Sequence, residues 1–208
     1  PTQLKGRLKD LESAEEAAQA GTFLQVQMRK PNFVTHQRLA AAERGTAMHL
    51  ALQYLDFNRC LTEERTRIEI ETLVQENHLR PEQADAINPA QITAFVCTPL
   101  GQRLLHAERC LREFKFSVLA DSDALPEFDG AGQVLLQGVV DCCFEEPEGL
   151  VIIDFKTDRV SEVQVLERSE RYKTQLACYA YAMEQVLQQP VKACYLYFLS
   201  TGNTVQMQ

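Results

Sequence analysis

Two carboxylates and an amine stand at spacings that could hold a divalent cation beside a reacting group: Gly138-Val139-Val140-Asp141 in one segment and Ile152-Ile153-Asp154-Phe155-Lys156 in the next. On an extended strand, side chains at i and i+2 share a face about 7 Å apart, so Asp154 and Lys156 project together while Phe155 points the other way. Carboxylates crowded among apolar neighbours repel one another and resist desolvation unless a cation neutralises them. Oxygen-rich sites of this kind suit magnesium or manganese. A metal there can bring water to a phosphodiester, lower that water's pKa and stabilise charge on the leaving oxygen. Lys156, a compact charge beside it, could orient the water or screen the phosphate. The plainer alternative is that Asp154 and Lys156 form a surface ion pair at a strand end.

The elements that would position these groups follow from turn signals and periodicity. Val134 to Phe144 and Leu150 to Phe155 read as two strands joined at Glu146-Pro147-Glu148-Gly149. With a four-residue loop over Glu146 to Gly149, Glu145 faces Leu150 and Asp141 falls across from Asp154; a slip of one residue would dismantle the cluster. Upstream, Phe114, Phe116 and Val118 alternate with Glu113, Lys115 and Ser117, as a half-buried strand requires. Downstream come a helix from about Ser169 to Leu187, stopped by Gln188-Gln189-Pro190, a strand from Ala193 to Leu199, a turn at Thr201-Gly202-Asn203 and a last strand from Thr204 to Met207.

The first half of the chain reads as helical. From Leu4 to about Leu61 two helical stretches flank the breaker-bearing segment Met28 to Thr35. The second spans Arg38 to Asp56, with Leu39, Ala42, Met48, Leu52 and Leu55 on its apolar face and His49 beside that face. Short helices follow at Thr62–Arg65, Arg80-Pro81 and Asn88-Pro89, and Pro99 to Gly101 reads as a break. The expected organisation is a helical part over residues 1–110 and an α/β core, a mixed central sheet flanked by helices, over 111–208.

Composition narrows the field. Of 208 residues, 45% are hydrophobic and 24% charged, which excludes a disordered or fibrous chain. No apolar run approaches the roughly 20 residues of a membrane span, and Pro1 to Arg7 leads into no signal core, so a cytoplasmic protein without membrane contact is expected. The start at Pro1 points to a piece of a longer polypeptide. A net charge of −8 is the wrong sign for coating nucleic acid by charge alone, so any DNA contact must be local. The 7 cysteines read as reduced thiols, with Cys142 and Cys143 packed in their strand. Neither CxxC nor HExxH occurs, which disfavours zinc sites, and the lack of a G-x-x-x-x-G-K-[ST] loop means this segment is not an ATP motor.

Asp141, Asp154-Phe155-Lys156, Glu113, Gly45-Thr46-Ala47-Met48-His49 and Gln175-Leu176-Ala177-Cys178-Tyr179 together resemble the PD-(D/E)XK nuclease superfamily, in particular its RecB-like branch. The stretches Ala42 to His49, Ile152 to Asp158 and Tyr195 to Gly202 look most like the C-terminal nuclease domain of the AddA family of bacterial helicase-nucleases. The resemblance covers roughly His36 to the end. It implies a restriction-endonuclease-like core, with His49, Asp141, Asp154 and the Phe155 carbonyl as metal ligands. Lys156 would be the catalytic lysine and Glu113 an acid near the site, with Gln175 and Tyr179 on one helix face toward the active centre. It further implies magnesium-dependent cutting of a DNA strand delivered by an upstream helicase region, and an AddB-like partner protein. Some RecB-like relatives hold an iron-sulfur cluster through a trio of C-terminal cysteines; no trio follows Lys156, so no cluster is expected.

Alternatives stand beside this reading. His49 could be a packed or solvated helix residue, Glu113 a solvated strand residue opposite Lys115, and Tyr172, Tyr179 and Tyr181 with Leu176 a buried stripe. Arg168, Arg171 and Lys173 could contact phosphates or form a solvated face. At the level of function, the rivals are a catalytically silent DNA-binding or subunit-docking scaffold and a phosphodiesterase acting on RNA or nucleotides.

Overall fold

The computed structural model describes residues 41–122, 125, 132–158 and 160–207; the helical stretch expected from Leu4 lies outside them. Helix α1 spans Ala41–Tyr54. Its buried face carries Gly45, Ala47, Met48, Ala51 and Leu52, whereas Ala42, expected on that face, is exposed. Small residues dominate because the helix lies close to the sheet: a Cβ on Gly45 would stand 2.9 Å from Thr157 Oγ1. A 3-10 turn, Phe57–Arg59, leads to α2, Glu63–Gln75, whose Thr62 cap accepts the Arg65 N–H. Helices α3 (Pro81–Ala84), α4 (Pro89–Val96) and α5 (Pro99–Leu105) each begin with proline at the first turn. The expected break at Pro99 to Gly101 is therefore a helix start. Thr98 caps it, and Gly101 gives α5 room against the Phe95 carbonyl.

Five strands follow: β1 Cys110–Asp121, β2 Gln133–Glu146, β3 Gly149–Lys156, β4 Val191–Phe198 and β5 Asn203–Gln206. They lie in chain order in one mixed sheet, antiparallel except for β3 and β4. The parallel crossover contains α6, Val165–Glu170, and α7, Lys173–Leu187. Periodicity predicts one continuous helix from Ser169. The chain instead bends at Arg171 and Tyr172, whose N–H groups bond three residues back to Arg168 and Ser169, a tight closure that no Gly or Pro signals.

Cores form on both faces of the sheet. Helices α1 to α5 cover Phe144, Ile153, Phe155 and Tyr197, with Phe95 4.8 Å from both the Phe155 and the Tyr197 ring centroid. Helix α7 covers Val140, Ile152, Leu196 and Phe198 with Leu176, Tyr179 and Met183. Buried Cys142 and Cys143 pack on opposite sides, as their adjacent positions demand. The β2–β3 register places Glu145 opposite Leu150, as expected, although Glu146 and Gly149 pair and leave only Pro147 and Glu148 in the turn. Gly149 takes φ 135, a conformation that favours glycine.

One row departs from regular pairing. On β2, Val134, Leu136 and Val140 face α7, yet Cys142 and Phe144, also even-numbered, face α1 to α5. An unbroken strand keeps every second residue on one face, so the phase reverses at Asp141. On β1 the paired rows run from Arg112↔Cys142 to Phe114↔Val140, skipping Glu113, whose φ is 48. A non-glycine residue in that left-handed region costs about 1–2 kcal/mol, and such strain gathers at functional positions.

Candidate metal centre

The irregular row carries the site. Continuing the two observed registers by one step aligns Glu113 with Asp141 and Asp141 with Asp154 across three strands. Regular β2–β3 pairing stops at Cys142↔Ile153, and the Phe155 N–H is taken instead by Asp141 Oδ2 at 2.7 Å. The carboxylate thus replaces a backbone acceptor where the sheet opens, and is itself oriented by that bond.

His49 enters from α1. Its Nδ1 lies 3.4 Å from Asp141 Oδ1 and 3.6 Å from Glu113 Oε1. Ligand atoms of His49, Glu113 and Asp141 all lie within 4.8 Å of one another, and all three residues are partly buried. Burial opposes a charge on His49, but the Asp141 and Glu113 carboxylates outweigh it and push the imidazole up to about 10. The helix is tied down beside them: Arg112 Nη1 donates to the C-terminal carbonyls of Leu52 and Leu55, and its guanidinium lies 5.1 Å from the Phe57 ring centroid. Arg112 is the residue before Glu113, so one short piece of β1 both contributes to the acidic row and anchors the helix bearing His49.

Asp154 is the most enclosed acid among the described residues, with a side chain 3% exposed. Burial raises its carboxyl to about 6, opposed by Lys156, with Asp141 adding to the rise. Asp154 Oδ2 stands 2.5 Å from Lys156 Nζ as an ion pair but receives no well-directed hydrogen bond. Gln175 Oε1 accepts from Lys156 Nζ at 3.2 Å, while Gln175 Nε2 donates to Tyr179 Oη at 2.8 Å and lies 3.5 Å from Asp154 Oδ1. Burial, with Asp154 and Asp141 nearby, holds the Tyr179 phenol well above its usual range, so it stays neutral.

Side chains from α1, β1, β2, β3 and α7 thus meet here: of the expected metal ligands, His49 and Asp141 come together with Glu113, while Asp154 pairs with Lys156 beside them and stands outside that group. Phe155 contributes its N–H, with its ring in the core. Tyr179 is both a member of the buried stripe and a contact of Gln175. Glu113 faces His49 and is not a freely solvated strand residue. The surface ion-pair reading of Asp154 and Lys156 fails on burial. Arg168 pairs with Asp158 at 3.3 Å. Two contributors escape sequence reasoning: Arg112, whose role depends on a partner 57 residues away, and Tyr172, whose ring centroid lies 3.7 Å from Lys156 Nζ. The position of Tyr172 three residues before Gln175 is its only signal.

A partly buried row of three carboxylates with one imidazole and one ammonium, set where a mixed sheet opens between two helical layers, makes a restriction-endonuclease-like α/β fold with a candidate cation site. The chain belongs to the PD-(D/E)XK nuclease superfamily, whose family model matches residues 14–207. It is 37% identical over 207 residues to an ATP-dependent helicase/nuclease subunit of Acetivibrio thermocellus, covering 97% of this chain and 16% of the relative. Proteins of the same name from Thermoanaerobacter sp. (38% over 184 residues; 86% and 15%) and Bacillus cereus (36% over 219 residues; 100% and 17%) are also similar. The chain spans about a sixth of the length of these curated relatives.

The donor set fits a hard divalent cation. Carboxylate oxygens dominate, one nitrogen is available, and Asp154 holds a buried oxygen lacking a directed donor. A cation binding here displaces the His49 proton, and the three carboxylates and Lys156 then sum to a charge of about −2, which a divalent ion balances.

Proposed function

We propose that this chain is a magnesium-dependent deoxyribonuclease domain, with manganese an acceptable substitute. It hydrolyses phosphodiester bonds of single-stranded DNA delivered by an associated helicase during processing of double-strand breaks. The observation that supports this most is the convergence of His49, Glu113 and Asp141 beside the buried Asp154–Lys156 pair. His49, Asp141, Asp154 and the Phe155 carbonyl would hold the metal. When bound, such an ion lowers the pKa of water and stabilises charge on the leaving oxygen.

The chain's own groups have separate tasks. Asp141, oriented by the Phe155 N–H, keeps one carboxylate oxygen facing His49 and the other on the backbone. Lys156 presents an ammonium at the rim of the acidic row, where it can meet a scissile phosphate and assist the attacking water. Gln175 spans Lys156, Asp154 and Tyr179 and keeps their spacing. Glu113 biases the protonation and placement of His49.

The similarity to helicase/nuclease subunits supports an AddA-like assignment, in which a helicase region of the same polypeptide and an AddB-like partner protein supply the strand in the cytoplasm. Residues 1–110 then serve as the part that carries His49 and residues 111–208 as the catalytic core. The net charge of −8 suits a domain that relies on delivery more than on intrinsic DNA affinity.

The test is cleavage of single-stranded DNA, duplex DNA and RNA by the 208-residue chain with magnesium or manganese, next to Asp154→Ala. Metal-dependent cutting of single-stranded DNA, lost in the variant, is expected. Equal cutting by both proteins would sink the assignment, and preferential cutting of RNA would redirect it to an RNA phosphodiesterase. Carboxylate-dependent metal binding with no cutting, even beside its helicase, would identify a silent scaffold.

A further inference from the structure

The Lys156 ammonium is held from three sides: by Asp154 Oδ2 at 2.5 Å, by Gln175 Oε1 at 3.2 Å, and by the face of Tyr172, whose ring centroid lies 3.7 Å away. Tyr172 sits half-buried at the bend between α6 and α7. Its hydroxyl donates to Asp158 Oδ2 at 2.6 Å, and the same oxygen accepts from Arg168 at 3.3 and 3.4 Å. The Asp158 carbonyl in turn accepts from Ser200 Oγ at 2.7 Å, in the turn after β4. The ring is thus fixed at both ends, through its backbone at the helix junction and through its hydroxyl on an anion tied to the sheet.

A ring face attracts a cation without cancelling its charge. Asp154 differs: a carboxylate that neutralises Lys156 is a carboxylate less available to a metal. An aromatic seat lets the ammonium keep its place while Asp154 serves the cation site. We propose that Tyr172 is a positioning residue for Lys156, seating its ammonium by a cation–π contact, and that Asp158 fixes the ring for that purpose. The proposal rests on the nuclease reading for its effect on rate, but not for the contact itself.

Tyr172→Phe and Tyr172→Leu variants of the 208-residue chain separate the parts, the first keeping the ring and losing the hydroxyl, the second losing both. Two readouts are needed. One is the proton shift of the Lys156 ε-methylene in lysine-labelled protein, assigned with Lys156→Ala, because a cation seated over a ring moves upfield. The other is the split between kcat and KM in metal-dependent DNA cleavage. The upfield shift is expected in full in the parent, reduced in Tyr172→Phe, whose ring has lost its Asp158 anchor, and absent in Tyr172→Leu. In Tyr172→Leu, kcat is expected to fall roughly 2- to 30-fold, the rate equivalent of a cation–π contact, with KM unchanged, and Tyr172→Phe is expected to lie between Tyr172→Leu and the parent.

A parent Lys156 ε-shift matching exposed lysines overturns the proposal, as does a folded Tyr172→Leu protein that cuts at the parental kcat. If Tyr172→Leu fails to fold, the parent and Tyr172→Phe shifts still decide. If the parent and Lys156→Ala cut equally, the nuclease reading falls instead, and the shift still reports whether Tyr172 seats the lysine.

Discussion

At the turn end of the β2–β3 hairpin, Arg103 donates to both oxygens of Glu146 at 2.8 and 3.0 Å, Lys192 reaches the same carboxylate at 3.2 Å, and Arg109 reaches Glu145 at 2.9 Å. The Arg103 pair holds Glu146 below the usual carboxylate range. At the open end of the same two strands the balance is reversed. Glu113, Asp141 and Asp154 share one lysine and a histidine that the carboxylates keep protonated, still one negative charge in excess, and Asp154 is pushed up to about 6 by burial. The backbone differs in parallel: ladder pairing is continuous from Glu146 to Cys142 and fails at Asp141, with Glu113 held at φ 48. Carboxylates matched by arginine close a hairpin; carboxylates in excess, on a strained and opened row, leave a charge that the proposed cation would balance.

Breaking the open end has the largest effect. Asp154→Ala or Lys156→Ala should reduce DNA cleavage by at least about 100-fold while leaving the circular dichroism spectrum unchanged, since under the proposed function each removes a group that would act on the reacting centre. Next comes His49→Ala. It should weaken manganese binding by roughly 10-fold or more, read by titration calorimetry, because the proposed site would lose its imidazole ligand and keep its carboxylates.

The turn end should respond in the opposite sense. Arg103→Met should cost about 1 kcal/mol in denaturant unfolding, the pair being one-third exposed on the arginine side, and leave cleavage at the parental rate. Loss of activity there, with stability intact, would erase the distinction between the two ends.

A smaller and purely thermodynamic effect sharpens it. In the metal-free protein the Asp154 carboxyl rises from 3.8 to about 6 on folding, so over that window the folded state binds more protons than the unfolded one. Stability from this group is therefore lost as pH rises from about 4 to 6. Asp154→Asn, which cannot ionise, should gain stability relative to the parent across the same window, measured by urea unfolding at a series of pH values. A gap that stays constant with pH would mean that Asp154 is not strained by burial.

Much of this is legible in the amino-acid order alone. Strand alternation places Phe114, Phe116 and Val118 correctly, and turn chemistry around Pro147 and Gly149 specifies the register that sets Asp141 beside Asp154. Those inferences work because a period of two and a tight turn are local properties. What escapes is non-local. The left-handed backbone at Glu113 has no glycine to announce it, and its strain is sustained by the surrounding site. The bend at Tyr172 lacks a breaker residue, and the exposure of Ala42 depends on how α1 approaches the sheet. Arg112 reads as an ordinary strand cation until the carbonyls of Leu52 and Leu55 are placed above it. Pro99 reads as an interruption because a first-turn proline and a breaking proline look alike until the Thr98 cap is seen.

The central claim is that the unbalanced row is a cation site, and calorimetric titration of magnesium or manganese tests it most directly. The 208-residue chain and its Asp141→Ala/Asp154→Ala double variant would be titrated side by side, with their melting curves as a check on folding. Saturable binding to the parent that disappears in a folded double variant is the predicted result. Equal binding by both proteins, or none by the parent even with single-stranded DNA present, would contradict the account.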